Sequence, residues 1–216
     1  MEKEVSSSFN TYLSLITING KIHNVTLVKK FEKKSRRYDW ITKVNNFYMI
    51  KLKRLDTTIL LYSKGGFKIT IGCNKNVIKN LNVHLERVLD MLALFFNEKI
   101  TRVDMKITQV TILLRPLKNI AKTLTYKNMI SKMTQKDNYI IYNKTDHKVY
   151  HEINFVAHEC GQSSYYFTIE IENVRTGGIK IYNNFTAIMM CFDAGKIYNM
   201  VNICKDFLNY LKSITI

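Results

Sequence analysis

The sequence predicts an α+β fold: an internally duplicated, curved antiparallel sheet with two long helices on its convex face. Two stretches carry that expectation. "ILLYSKGGFKITIGCNKNVIKNLNVHLERVLDML", from Ile59 to Leu92, reads as strand, Gly-Gly turn, strand and amphipathic helix, and "IKIYNNFTAIMMCFDAGKIYNMVNICKDFLNYL", from Ile179 to Leu211, repeats the plan. The helix stripes are Ile78, Leu81, Leu85, Val88, Leu89 and Leu92, then Ile197, Met200, Cys204, Phe207, Leu208 and Leu211, each pair 119 positions apart. Apolar residues three and four apart share one helix face, and a matched stripe behind a matched hairpin indicates a repeat. The hairpin residues Cys73 and Cys191 are 118 apart, a slippage of one that a turn absorbs.

The first half opens with a strand over Tyr12–Gly20 and a short basic helix over Val25–Lys34. "KSRRYDW" reads as a charged loop, and Asn46–Leu55 and Thr57–Ser63 alternate as strands. Gly65-Gly66 supplies the positive φ that a tight hairpin needs, before a strand over Phe67–Cys73. Asn74 is placed to cap the first long helix and Asp193 the second. The second half begins with "TRVDMKITQVTILLRPLKNIAKTL", a strand and then a helix with Pro116 in its first turn. It carries extra sequence near 129–158, with "NYIIYN" and "KVYHEINFV" as strands, followed by "SYYFTIEIEN" and "GGIKIYNNFTAIMMC". The expected repeats are 1–100 and 101–216, together one pseudo-two-fold domain.

Composition narrows the function. Of 216 residues 46% are hydrophobic, enough for a sizeable core, and one proline with eight glycines leaves no linker-like segment. "MEKEVSSSFN" has no signal-peptide pattern and "MLALFF" is too short to cross a bilayer, so an intracellular location without membrane attachment is expected. Lys and Arg number 33 against 17 Asp and Glu, a net charge of +16. AT-rich coding would inflate lysine, but it does not explain the shortage of acids, and such a field favours nucleic acid. Cys73, Cys160, Cys191 and Cys204 form no C-x-x-C pair and no zinc spacing; buried reduced thiols are expected.

The layout, with "SKGGFKITIGCNK" closing the first hairpin and "NNFTAIMMCFDAGK" the second, resembles the TATA-box-binding protein family, most nearly its divergent versions in large DNA viruses. The resemblance covers residues 10–216 and implies a saddle whose concave sheet enters the DNA minor groove. It maps the aromatic wedges that kink the duplex to Phe47 and Tyr62 in one half and Tyr165 and Tyr182 in the other, Phe47 and Tyr165 being 118 apart. Gln109 in "MKITQVTILL" falls where the family places an asparagine on the DNA-facing strand, with Thr111 beside it; Ser14 and Ile16 are the first-half counterparts. Ile69 and Ile71, and Ala187 and Met189, fall on the DNA-facing hairpin strands, with Ile71 and Met189 replacing a small hydroxyl residue; Lys68 and Lys180 complete the set. A one-residue shift of register would turn Ile69 and Ile71 inward and Lys68 and Thr70 outward.

The function expected from this resemblance is a DNA-binding transcription initiation factor. It would engage double-stranded promoter DNA, bend it and recruit a transcription factor IIB-like factor or RNA polymerase subunits. It would act as a monomer or within a larger complex, with no cofactor and no catalysis, in the nucleus or a cytoplasmic viral factory. A second reading is a protein–protein subunit of a transcription or viral assembly that no longer binds DNA, favoured by Met189 and the acidic "TIEIEN". A third is a metal-dependent nuclease using Glu170, Glu172 and Asp104. "YHEINFVAHEC" brings His151, Glu152, His158, Glu159 and Cys160 together, but the spacing is not H-E-x-x-H, and surface residues on an insertion are expected.

Overall fold

A computed structural model of the chain describes residues 8–23, 29, 31–33, 38–73, 77, 79–96, 99–118, 139–146, 149–158, 164–172 and 174–214. They form two compact units, Ser14–Gln109 and Met1–Leu13 with Val110–Ile216. The strands are β1 (Phe9–Ile22), β2 (Ile41–Val44), β3 (Phe47–Leu52), β4 (Thr57–Tyr62), β5 (Gly66–Gly72), β6 (Val103–Pro116), β7 (Tyr139–Asp146), β8 (Val149–His158), β9 (Ser164–Ile171), β10 (Val174–Tyr182) and β11 (Ala187–Cys191). The long helices are α1 (Leu81–Phe96) and α2 (Ile197–Ile214). The strands β1 and β6 each contribute to both units.

In the first unit the strand order is β2-β3-β4-β5-β1, every pair antiparallel. In the second it is β7-β8-β9-β10-β11-β6, again antiparallel throughout. Both units follow one plan: a first strand, a meander whose last strand folds back beside the first, and then the long helix. Strand β5 matches β11, β4 matches β10, β3 matches β9 and β2 matches β8. The extra sequence supplies β7, an added edge strand.

Each helix covers one side of its own sheet. In the first unit the Thr57 hydroxyl meets His84 Nε2 of α1 at 3.0 Å, and Phe31 stands between Tyr48 of β3 (5.3 Å) and Phe96 of α1 (5.4 Å). In the second, Phe207 of α2 stacks on Phe155 at 3.7 Å and meets Phe167 edge-on at 5.4 Å. All these rings are buried. Of the stripes read from the sequence, Val88 and Leu92 in α1 and Met200, Cys204, Phe207, Leu208 and Leu211 in α2 are buried, Leu81, Leu85, Leu89 and Ile197 are half-buried, and Ile78 lies outside the described residues. Their burial supplies the hydrophobic stabilisation that orders each sheet.

The hairpins share a turn of different chemistry. Gly65 adopts φ 84° and donates its N–H to the Tyr62 carbonyl at 3.0 Å; Phe185 adopts φ 61° and donates to the Tyr182 carbonyl at 2.8 Å. The left-handed conformation costs glycine little and phenylalanine of the order of 1 kcal/mol or more. Full burial of the Phe185 ring offsets that cost. Asp193 precedes a 3₁₀ turn (Ala194–Lys196) leading into α2, and its carboxylate accepts the Gly195 N–H at 3.0 Å, the capping expected of it.

Several expectations change. Residues 38–40 of the expected charged loop form a turn, and the short edge strand β2 (Ile41–Val44), for which no element was expected, follows it. After Leu52 the chain forms a 3₁₀ turn (Lys53–Leu55) instead of extending the strand. Pro116 ends β6. The helix expected after it falls in 119–138, outside the described residues, as do Asn74 and Cys160. Of the basic helix over Val25–Lys34, residues 29 and 31–33 are helical and the others lie outside the described residues.

Candidate nucleic-acid interface

Successive side chains of a strand point to opposite sides, so burial against the helix fixes which residues each sheet presents on its uncovered side. In the first unit Phe67, Ile69 and Ile71 of β5, Ile59 and Leu61 of β4 and Tyr48 and Ile50 of β3 are buried on the α1 side. Their neighbours Lys68, Thr70, Leu60, Tyr62, Phe47 and Met49 therefore point the other way, and each is half-buried or exposed.

The register arranges these residues in rows across the strands. Phe47 lies opposite Tyr62, their ring centroids 5.8 Å apart, and Tyr62 is 39% exposed. The next row runs Thr42, Met49, Leu60, Lys68, Asn19, and the one beyond it Lys51, Thr58, Thr70, Thr17. An aromatic pair thus stands at one end of a flat apolar and hydroxyl surface with lysines in it. Thr17 is buried although no helix covers that side, because flat cross-strand neighbours crowd a central strand.

The second unit repeats this. Ala187, Met189 and Cys191 of β11, Ile179 and Ile181 of β10 and Val110, Ile112 and Leu114 of β6 are buried on the α2 side. On the other side one row runs Leu113, Ile188, Lys180, Tyr166 and the next Thr111, Met190, Gly178, Thr168, Val156. Tyr182 lies opposite Ser164 at the hairpin end, with Lys180 Nζ 5.5 Å from its ring centroid. Gly178 is the seat of the Tyr166 ring: a Cβ there would lie 2.5 Å from the Tyr166 hydroxyl oxygen and 3.0 Å from its ring.

The residues expected at the interface divide accordingly. Phe47, Tyr62 and Lys68 share the uncovered side of the first unit, and Lys180, Tyr182 and Thr111 that of the second. Gln109 alternates with buried Val110 as Thr111 does. Ile16, Ile69, Ile71, Tyr165, Ala187 and Met189 are corrected: they face the helices and are buried, Tyr165 at 7% exposure being the most open of them. Ser14 lies on the Ile16 side by alternation, its carbonyl accepting the Cys73 N–H at 2.9 Å. Tyr62 and Tyr182 open equivalent turns 120 positions apart, and in β3 and β9 the repeats match at 117 positions and not 118, an odd shift that moves Tyr165 to the helix side. Tyr165 then corresponds to Tyr48, each paired with a buried aliphatic residue of the next strand, Ile181 and Leu61. Ser164 then stands where Phe47 does, and Tyr166 stands on the uncovered side where Met49 does. Counting outward from the turns, instead of from the cysteines, is the signal that locates Tyr166, Met49, Leu60, Ile188 and Met190.

The rest of the chemistry is quiet. Burial pushes the thiols of Cys204, Cys191 and Cys73 above the ordinary range, and none is in a disulfide. Among the described residues no group of three or more His, Cys, Asp or Glu could hold a metal ion, and no helix is long and apolar enough to cross a membrane. Glu170 lies in β9, whereas Glu172 follows that strand at φ 54°, so the alternation that would have paired them ends between them.

No family model matches the sequence, and no curated protein matches it. Among solved structures, Methanococcus jannaschii TBP is similar over 93% of this chain and 99% of its own, with a TM-score of 0.50 and 9% sequence identity. At that identity the likeness speaks for architecture, and it agrees with the duplicated strand order and the paired long helices: the chain has a TBP-like fold.

Proposed function

We propose that this protein is a DNA-binding transcription initiation factor, a divergent TATA-box-binding protein of the kind found in large DNA viruses, built from repeats 1–100 and 101–216. The observation that carries the reading is the pairing of Phe47 with Tyr62 at the end of an uncovered sheet surface; in the second unit Tyr182, beside Lys180, holds the place of Tyr62, and Tyr166 lies in the next row. A minor groove opened by kinking toward the major groove becomes a wide, shallow trough edged by phosphates, and a flat, apolar, hydroxyl-bearing sheet fits its floor. Ring edges at the hairpin ends enter base steps and replace the lost stacking, and lysines meet the phosphates. The DNA-facing set is then Phe47, Met49, Leu60, Tyr62, Lys68 and Thr70 in one repeat and Thr111, Tyr166, Lys180, Tyr182, Ile188 and Met190 in the other. Gln109 reads the degenerate acceptor pattern of A·T pairs as an amide donor. Bent promoter DNA then recruits a factor of the transcription factor IIB type or the polymerase.

The test is binding and bending of an AT-rich duplex labelled at both ends. Mobility shift with a shortened end-to-end distance supports the reading. Association without shortening reduces it to electrostatic binding, and no association at low salt leaves the fold as a protein–protein scaffold.

A further inference from the structure

The first long helix carries a second stripe that takes no part in the core. Val83, Arg87, Met91 and Leu94 fall three or four residues apart, and Leu94, 75% exposed, is a large apolar side chain turned to solvent. The stripe borders two adjoining depressions of about 470 and 680 Å³, which share Arg54, Leu55 and Arg87. The larger has an apolar floor of Trp40, Leu52, Leu55, Met91 and Leu94. Its charged lining is Lys51, Lys53, Arg54 and Arg87 against one carboxylate, Asp90. The smaller is more polar, lined by Asn80, His84 and a second carboxylate, Asp56, beside Val77 and Val83. From Val83 to Leu94 the stripe is roughly 16 Å long at 1.5 Å per residue, three turns of helix.

We infer that this groove docks an acidic amphipathic helix of a partner protein. An apolar floor of that length calls for side chains at i, i+3 or i+4 and i+7 of a facing helix. The excess of cations around it calls for carboxylates flanking those anchors, and the planar guanidinium groups of Arg54 and Arg87 suit carboxylates held two-fold. A nucleic acid would use the rim but leave Met91 and Leu94 uncovered and bring phosphates against Asp90. Of the groove's lining only Lys51 lies on the uncovered side of the sheet, and Arg87 and Leu94 do not, so variants at those two test the groove separately from DNA binding.

The chain has a single tryptophan, and it lies in the groove, so its fluorescence reports occupancy. The probe is a synthetic helix of about 16 residues with leucines at i, i+4 and i+7 and glutamates elsewhere. A lysine-for-glutamate version and a scrambled version are the controls. A saturable change in Trp40 emission with the acidic peptide is expected, weakened about tenfold or more by Leu94→Ser and by Arg87→Gln. Both variants should associate with duplex DNA as the unaltered chain does. Three results overturn the inference: equal binding of the control peptides, or none of the acidic one; displacement of the peptide by duplex DNA with both ligands weakened by the same variants; and self-association of the chain that Leu94→Ser abolishes.

Discussion

At the scale of single residues, a side chain's role is decided by which side of its strand it occupies. Tyr165 and Tyr166 are neighbours in sequence, yet one is packed against α2 and the other rests on Gly178 on the opposite side. Tyr165→Ala should therefore cost about 3–5 kcal/mol of stability, as large core truncations do. Tyr62→Ala with Tyr182→Ala should leave the melting temperature near that of the parent and still associate with duplex DNA at low salt, while losing the shortening of labelled DNA. Early melting with normal bending would return these tyrosines to the core. His84 offers a pH test. Burial lowers its pKa, Arg87 lowers it further, and Asp56 opposes both. A histidine with a depressed folded pKa binds its proton more weakly folded than unfolded. Its contribution is present above the unfolded pKa of about 6.5 and is lost as pH falls through the folded value. Stability measured by denaturant should fall as pH drops below about 6.5. His84→Gln, which keeps a partner for Thr57, should flatten that fall; an unchanged slope would place the titration elsewhere.

At the scale of elements, the helices were legible and the strand register was not. Both long helices announce themselves by period, because one face is buried and the other wet. The hairpin strands give no such phase. In β11, Ile188 and Met190 are as apolar as Ala187 and Met189, so alternation in "AIMMC" does not say which set faces the helix. The second turn hides its left-handed residue, Phe185, where the first advertises Gly65. A shift of one residue exchanges the inward and outward sets of a strand, and Ile69, Ile71, Ala187 and Met189 lie in the inward set. Capping chemistry, by contrast, was readable, since Asp193 accepts a backbone N–H as its position before the helix implied. Asp193→Ala should lower stability by about 1 kcal/mol, and Asp193→Asn, which keeps an acceptor oxygen, by less. Equal losses for the two would mean that its charge and not its hydrogen bond matters there.

At the scale of the whole molecule, the net charge of +16 is the property most directly tied to a polyanionic partner, and it needs no register to be read. Two mechanisms would produce DNA affinity, and salt separates them. If affinity arises from lysines displacing counterions, each phosphate neutralised adds about −0.9 to the slope of log affinity against log salt. Lys51, Lys68 and Lys180 lie on the uncovered sides of their sheets, and exposed basic residues elsewhere raise the plausible total to about six contacts. Affinity should then fall roughly a thousandfold between 50 and 200 mM salt. The apolar and stacking contribution of Phe47, Tyr62, Tyr166 and Tyr182 is nearly independent of salt, so it sets the level of the line and not its slope. Tyr62→Ala with Tyr182→Ala should give a parallel line of lower affinity, whereas Lys68→Ala with Lys180→Ala should reduce the slope by about two contacts. Parallel lines from the lysine variant would show that these lysines meet no phosphate. A flat line for the unaltered chain would remove DNA as the partner of these sheet surfaces.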